Sequence, residues 1–235
     1  PYPSFSMYGV YTKLADSIAA PYPLTLTGYV DPDKVIEFCR AEQPALLIVC
    51  NPNNPTGNYN PLEVMEKILA NVSCPVVMDE AYMEFGNESA IDLLKTYPMV
   101  FVCRTLSKAY GLAGIRCGFM ISSQVEKLAP LFIPYALSSV TQTIASVVLR
   151  HADAYKSNIA TIISERERMY REVKDYKTIS FYPSNANFLY GRTDKKDILM
   201  DMFKEKNITI RNYVDTSFRI TIGTSEENEM VLDIL

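Results

Sequence analysis

The sequence contains a single histidine, His151, and its five cysteines include no C-x-x-C pair. A histidine-centred zinc site and a Ser-His-Asp triad are therefore both disfavoured. The cysteines lie mostly in apolar runs and are odd in number, which favours buried thiols over a disulfide framework. His151 stands far from every motif, so we expect it at a helix end on the surface.

Long hydrophobic runs and an excess of positive charge are also missing. No apolar run approaches the roughly 18 residues that a membrane helix needs. The formal net charge is -4, without the clustered Lys and Arg that nucleic-acid binding requires. Hydrophobic residues make up 48% and charged residues 21% of the 235 positions, an ordinary globular balance. This length suits one large domain, alone or with a small one.

Short apolar runs alternate with helix-like segments between residues 44 and 121. We predict a helix over 61–71 and strands over 45–50, 75–78, 99–104 and 117–121. Apolar strands separated by helices are typical of an α/β fold with a mostly parallel sheet and helices on both faces. Ligands of such sheets bind beyond the carboxyl ends of the strands, where the polar motifs of this chain fall.

The pattern changes after Ser138. Helices are predicted over 140–150 and 152–175, followed by a small α+β unit with strands over 187–190, 208–211 and 218–222 and helices over 195–206 and 226–235. We therefore expect a large domain at residues 1–150. Residues 151–235 are expected to form a connecting helix and a small C-terminal domain.

Two polar motifs follow the first two predicted strands. Residues 51–57 (Asn-Pro-Asn-Asn-Pro-Thr-Gly) predict a rigid turn that presents asparagine amides, although a plain turn explains them equally well. Asp79 ends a buried strand, where a carboxylate is costly unless it meets a positive partner. A protonated pyridine nitrogen is one such partner, and a helix N-cap is the alternative reading.

Two further groups are basic. Thr105, Ser107 and Lys108 lie on a strand-to-loop turn, with Arg116 eight residues beyond the lysine. Hydroxyls with a guanidinium predict a phosphate site, and a partly desolvated lysine can form an imine; alone, the motif would also fit a surface lysine. Arg211 and Arg219 belong to predicted strands and could clamp an anion, or could be solvated strand-end charges.

Together these residues resemble the fold-type-I aminotransferases that depend on pyridoxal 5′-phosphate, over the whole chain. The order Asn54, Asp79, Tyr82, Lys108 and Arg116 with a late Arg219 is specific, although each piece is weak alone. Within class I/II the chain is most similar to histidinol-phosphate aminotransferases. The resembling stretches are residues 3–8, 51–57, 79–85, 104–118, 185–189 and 219–224.

The resemblance implies pyridoxal 5′-phosphate as cofactor, held covalently by Lys108. It also implies that Asp79 pairs with the pyridine nitrogen and that Phe5 stacks on the ring. Lys108, Asp79 and Tyr82 are the implied catalytic residues. Asn54 and Tyr82 are implied to hydrogen-bond the ring 3-oxygen. The cofactor phosphate is implied to be held by Thr105, Ser107 and Arg116. The substrate phosphate is implied to be bound by Arg211 and Arg219.

The implied reaction belongs to histidine biosynthesis: histidinol phosphate and 2-oxoglutarate give imidazole acetol phosphate and glutamate in a cytoplasmic homodimer. The resemblance also implies further chain before Pro1 that contributes to cofactor binding, and a C-terminal helix that continues beyond Leu235. Three alternatives stay open: a threonine-phosphate decarboxylase, an aromatic amino-acid aminotransferase, and a scaffold protein without cofactor.

Overall fold

The computed structural model describes residues 1–235 and contains two separate four-stranded sheets. The first has the order β1-β2-β3-β4, with strands Leu47–Cys50, Val76–Asp79, Val100–Thr105 and Gly118–Ile121. β1, β2 and β3 run parallel, and β4 is antiparallel to β3. The predicted mostly parallel sheet is present, because every strand lies close to its predicted position.

Four helices accompany this sheet: α1 (Met7–Leu14), α2 (Pro32–Glu42), α3 (Leu62–Leu69) and α4 (Val125–Leu128). The prediction over 61–71 corresponds to α3, whereas α1 and α2 were not predicted. The sequence does carry a start signal for α2, because the Asp31 side chain accepts the backbone N–H groups of Asp33 and Lys34. Proline at the first helical position also favours that start.

The core of the first sheet packs its strands against α2 and α3. Buried apolar side chains from α2, α3 and strands β1 to β3 form one cluster, which includes Val35, Val49, Ile68, Met78 and Val102. Complete burial of a side chain of this size contributes about 1.5–3 kcal/mol. This packing holds the strands in place. It therefore also fixes where each strand ends and the loop after it begins.

Two helices, α5 (Ser139–Arg150) and α6 (Lys156–Val173), connect the sheets. The helix predicted over 152–175 is shorter in the structure. Its first residues, Ala152–Tyr155, form a 3-10 turn, and α6 begins at Lys156. His151 lies at the C-terminal end of α5 and is exposed, as predicted. The helix-like pattern of the sequence does not distinguish the tighter 3-10 turn from the first turn of an α-helix.

The second sheet is antiparallel and has the order β5-β6-β8-β7. Its strands are Ser180–Phe181, Phe188–Arg192, Arg211–Asn212 and Ser217–Thr221, in the order β5 to β8, and its helices are α7 (Lys196–Glu205) and α8 (Ser225–Leu232). The strand predicted over 208–211 is shifted, because only Arg211 and Asn212 pair with β8. None of the helices combines the length and the apolar character that crossing a bilayer requires.

Candidate active site

A cavity of about 590 Å³ lies between the carboxyl ends of β1 and β2 and the β6–β8 side of the second sheet. Most of the site residues predicted from the sequence line it: Phe5, Asn54, Asp79, Tyr82, Lys108, Arg211 and Arg219. They come from both sheets and from the segment before α1. The fold therefore gathers into one place residues that are scattered along the chain.

Asp79 ends the central strand β2, and its backbone pairs with Cys50 of β1 and Cys103 of β3. One carboxylate oxygen, Oδ1, accepts the Ala81 N–H at 3.0 Å. The other, Oδ2, accepts the Tyr8 hydroxyl at 2.5 Å. Burial, with the negative charge of Asp79 as a second cause, raises the pKa of the Cys50 thiol to about 12, so that thiol stays neutral beside the carboxylate.

A buried ion-pair network lies directly after Asp79. Glu80, with 1% of its side chain exposed, accepts Arg104 Nε at 2.7 Å, and Arg104 Nη1 reaches Glu84 at 2.9 Å. Glu80 also accepts the Ser89 hydroxyl and the Ala90 N–H. Since Arg104 belongs to β3, the network holds the segment after β2 against the neighbouring strand. It therefore fixes the backbone directly after Asp79.

The loop at 51–57 is held by its own asparagines. Asn51 Nδ2 donates to Asn60 O at 2.9 Å and Asn51 Oδ1 accepts Asn60 N at 2.7 Å. Gly57 has a φ of 82°, and a Cβ there would lie 2.4 Å from Ser184 Oγ, so this position requires glycine. The closed loop presents Asn54 to the cavity.

Asn53 of the same loop positions Phe5. Its Nδ2 donates to Pro3 O at 3.1 Å, and its Oδ1 accepts Ser4 Oγ at 2.7 Å. The Phe5 ring at the cavity wall meets the Tyr8 ring edge-on, with centroids 5.5 Å apart. The segment before α1 is therefore held against the loop that follows β1.

Lys108 follows the end of β3 and points its amine at the Tyr82 ring, with Nζ 5.3 Å from the ring centroid. Partial burial, and next the positive charge of Arg219, lower the pKa of Lys108. Burial raises the pKa of Tyr82 to about 12 despite the nearby Arg219. Lys108 is thus shifted toward the neutral, nucleophilic amine, and Tyr82 remains a hydrogen-bond donor.

Arg211 and Arg219 are paired across β7 and β8 and both line the cavity. Arg219 Nη1 donates to Asn54 Oδ1 at 2.5 Å, and its guanidinium lies 4.6 Å from the Phe188 ring centroid. Arg219 Nε is buried and has no hydrogen-bond partner. A buried donor without a partner is costly.

The residues predicted to bind the cofactor phosphate, Thr105, Ser107 and Arg116, do not line this cavity. Thr105 Oγ1 donates to Ser107 Oγ at 3.0 Å and accepts the Ser107 N–H at 3.1 Å. Arg116 donates to Ala113 O at 3.2 Å. Thr105 ends β3, and Ser107 and Arg116 lie in the segment between β3 and β4 that carries Lys108. Their role in holding a phosphate stays a prediction.

Several residues of the site were not predicted from the sequence. Tyr8 contacts Asp79, and Tyr190, Tyr213 and Asp215 line the cavity beside the arginines. Tyr8 lies within residues 3–8, one of the stretches that carry the resemblance, and this was a usable signal. Asp215 carried no signal, because it lies in the turn between β7 and β8.

The groups around the cavity fit pyridoxal phosphate by their chemistry. A primary amine with a lowered pKa suits its aldehyde, a carboxylate at a strand end suits its pyridine nitrogen, and an amide and a phenol suit its 3-oxygen. Arg211 and Arg219 are not needed for these cofactor contacts, so their positive charges can bind an anionic substrate.

Comparison with known proteins agrees with this chemistry. The family profile described as aminotransferase class I and II matches residues 1–235. A histidinol-phosphate aminotransferase from Clostridium kluyveri is 37% identical over 99% of this chain and 68% of its own length.

Two solved structures share the fold. A decarboxylase from Sulfurospirillum multivorans has a TM-score of 0.88 at 25% identity and covers 99% of this chain and 73% of its own. The histidinol-phosphate aminotransferase from Sinorhizobium meliloti in complex with pyridoxal 5′-phosphate has a TM-score of 0.86 at 23% identity, over 98% and 66%.

Proposed function

Because the chain belongs to the class I and II aminotransferases, we propose that it transfers the amino group of histidinol phosphate to a 2-oxo acid, 2-oxoglutarate. It is a transaminase of histidine biosynthesis, and its cofactor is pyridoxal 5′-phosphate. The observation that carries the substrate is the pair Arg211 and Arg219, which are cross-strand partners and line the same cavity.

We assign the cofactor to the residues on the first-sheet side of the cavity. Lys108 would hold it covalently through Nζ, Asp79 would face its ring nitrogen, and Phe5 would cover one face of the ring. Asn54 and Tyr82 would reach its 3-oxygen, for which the phenol of Tyr82 remains a donor at neutral pH. Thr105, Ser107 and Arg116 stay the proposed phosphate ligands.

When bound, pyridoxal phosphate supplies an electron sink for the pair left on the substrate carbon. The residues of this chain move the proton and hold the charge. Lys108 would be the base that takes the proton from the substrate carbon at Nζ, because partial burial and the charge of Arg219 lower its pKa. Asp79 holds a negative charge where the ring nitrogen gains a positive one.

Histidinol phosphate carries no carboxylate, so its phosphate ester is the group that positive side chains can hold. Arg211 and Arg219 are cross-strand neighbours and can share that dianion. In the second half-reaction, Arg219 is also suited to a 2-oxo acid carboxylate, which accepts from a guanidinium in the same way.

We further propose that the enzyme is a homodimer in the cytoplasm. The dimer is supported by an exposed apolar stretch that includes Leu131, Ile133 and Tyr135, with 77%, 78% and 100% exposure. All five cysteines are free, which supports a reducing compartment. The domain boundary near residue 150 also stays a proposal. Sedimentation of the protein at micromolar concentration checks the dimer, and a monomer there would contradict it.

The function is tested by adding pyridoxal phosphate to the purified protein and measuring visible absorbance, then reducing with borohydride and mapping the labelled peptide. We expect the label on Lys108, and a label on any other lysine contradicts the assignment. Histidinol phosphate, phenylalanine and threonine phosphate are then each assayed with 2-oxoglutarate. We expect glutamate to form fastest with histidinol phosphate, whereas release of carbon dioxide from threonine phosphate would make the protein a decarboxylase.

A further inference from the structure

Tyr8 contacts the candidate active site without lining its cavity. It lies in the first turn of α1, and its hydroxyl donates to Asp79 Oδ2 at 2.5 Å, across 71 positions of the sequence. Its ring meets the edge of Phe5 at 5.5 Å. Asp79 and Phe5 are the residues assigned to the nitrogen and the face of the cofactor ring.

An aspartate at a strand end needs such a contact to keep its orientation. The torsion that turns a carboxylate about its Cβ–Cγ bond is broad and has no sharp minimum. Ala81 N–H fixes Oδ1 of Asp79, and the Tyr8 hydroxyl fixes Oδ2. With both donors present, the carboxylate plane is set before any ligand enters.

The Tyr8 hydroxyl is suited to act as a permanent donor. Burial, together with the negative charge of Asp79, raises the pKa of Tyr8 far above its ordinary value, so the hydroxyl keeps its proton throughout the working range. An ionised carboxylate only accepts hydrogen bonds, so the direction of this bond is fixed.

We propose that Tyr8 is a positioning residue of the transaminase: its hydroxyl orients the Asp79 carboxylate toward the cofactor ring nitrogen, while its ring supports Phe5. The inference rests on the proposed function, since it assigns Asp79 to that nitrogen. Tyr8 itself does not line the cavity, so its effect passes through Asp79 and Phe5.

The test compares wild type, Tyr8→Phe, Tyr8→Leu and Asp79→Asn. Phenylalanine removes the hydroxyl and keeps the ring against Phe5, whereas leucine removes both. Tyr11→Phe is the matched control, because Tyr11 lies on the same helix and is 58% exposed. Each protein is loaded with pyridoxal phosphate labelled with ¹⁵N in its ring, and the nitrogen chemical shift is recorded by NMR beside kcat and KM.

We expect the ¹⁵N signal of Tyr8→Phe to lie between those of wild type and Asp79→Asn. We expect its kcat to fall about 10-fold, as for other losses of a partner that orients a functional side chain. KM for histidinol phosphate should change by less than about threefold, since no substrate contact is lost. Tyr8→Leu should lower kcat further, and Tyr11→Phe should match wild type in both measurements.

A Tyr8→Phe protein with the nitrogen signal and kcat of wild type would overturn the inference and leave the proposed function intact. So would a Tyr8→Phe protein that unfolds in far-UV circular dichroism, because the hydroxyl would then be needed for the fold. A wild-type protein that shows no cofactor absorbance would overturn the proposed function and this inference together.

Discussion

Arg219 Nη1 donates a hydrogen bond of 2.5 Å to Asn54 Oδ1, and this bond joins two residues 165 positions apart in the sequence. Asn54 belongs to the loop after β1, and Arg219 to β8 of the second sheet. The bond therefore links the residue proposed for the cofactor 3-oxygen to the residue proposed for the substrate anion.

Replacing Asn54 with alanine should weaken the reaction with the 2-oxo acid. The guanidinium of Arg219 would lose the acceptor that orients it, and a hydrogen bond to a charged group contributes about 1.5–3 kcal/mol. We expect kcat/KM for 2-oxoglutarate to fall about 10-fold or more. Asn71→Ala is the control, because that asparagine is exposed at the end of α3. A loss shared by the control would point to a general effect of the substitution.

Arg211→Ala should reduce activity according to the anion that the substrate carries. A charge-assisted contact of this kind predicts a loss of about 10- to 100-fold in kcat/KM for histidinol phosphate. Histidinol, which lacks the phosphate, should be poor already and should change little. Arg219→Ala should in addition slow the 2-oxo acid half-reaction. If the losses were equal for histidinol phosphate, histidinol and phenylalanine, the arginines would support structure and not specificity.

The reactivity of Lys108 should depend on pH in a way that reports its surroundings. Partial burial and the charge of Arg219 lower the pKa of Lys108, so its neutral amine is present at a lower pH than that of an ordinary lysine. Arg219→Ala removes a positive neighbour, which should raise this pKa and move the reactivity midpoint to higher pH. Competitive acetylation of the cofactor-free protein, followed by mass spectrometry, measures it. Arg40→Ala, at an exposed position, should leave the midpoint in place.

Arg104→Ala should destabilise the fold strongly. It leaves Glu80 buried without its ion-pair partner, and breaking a buried pair costs about 3–5 kcal/mol in the free energy of unfolding. Burial already raises the pKa of Glu80, so a falling pH lets it take up a proton and lose the unpaired charge. The deficit should therefore be smaller at about pH 5 than at about pH 8.

Urea denaturation measures the effect of Arg104→Ala at each pH. Arg150→Ala, on the exposed side of α5, is the control and should stay within about 0.5 kcal/mol of wild type. A deficit for Arg104→Ala no larger than that of the control would show that the Glu80 network does not stabilise the fold.

The strand ends could be predicted from the sequence, and the contacts between distant segments could not. Asp79 and Lys108 follow short apolar runs, and a run of that kind marks where a buried strand stops. The cavity lining by Phe5, Asn54 and Arg219 was predicted from the resemblance. The Tyr8–Asp79 bond joins α1 to β2, and nothing local in either segment specifies its partner.

The second sheet shows why strand limits were less predictable. The apolar pattern predicted a strand over 208–211, but only Arg211 and Asn212 pair with β8. Asn207 just before it adopts a φ of 57°, a left-handed turn that the pattern does not reveal. Pairing with β8 determines which residues form this strand, and β8 comes later in the sequence. Arg211 still reaches the cavity, because its cross-strand partner is Arg219.

The sequence positions of Asn54 and Arg219, which the fold brings into contact, also fix the order in which they are synthesised. At roughly 5–20 residues per second, a ribosome adds the 165 positions between them in about 8–33 seconds. Asn54, Asp79 and Lys108 have all been synthesised before Arg219 is added. A nascent chain thus presents the groups proposed for the cofactor while the anion-binding arginine is still untranslated, and the wall that selects the substrate is the last part of the cavity to be made.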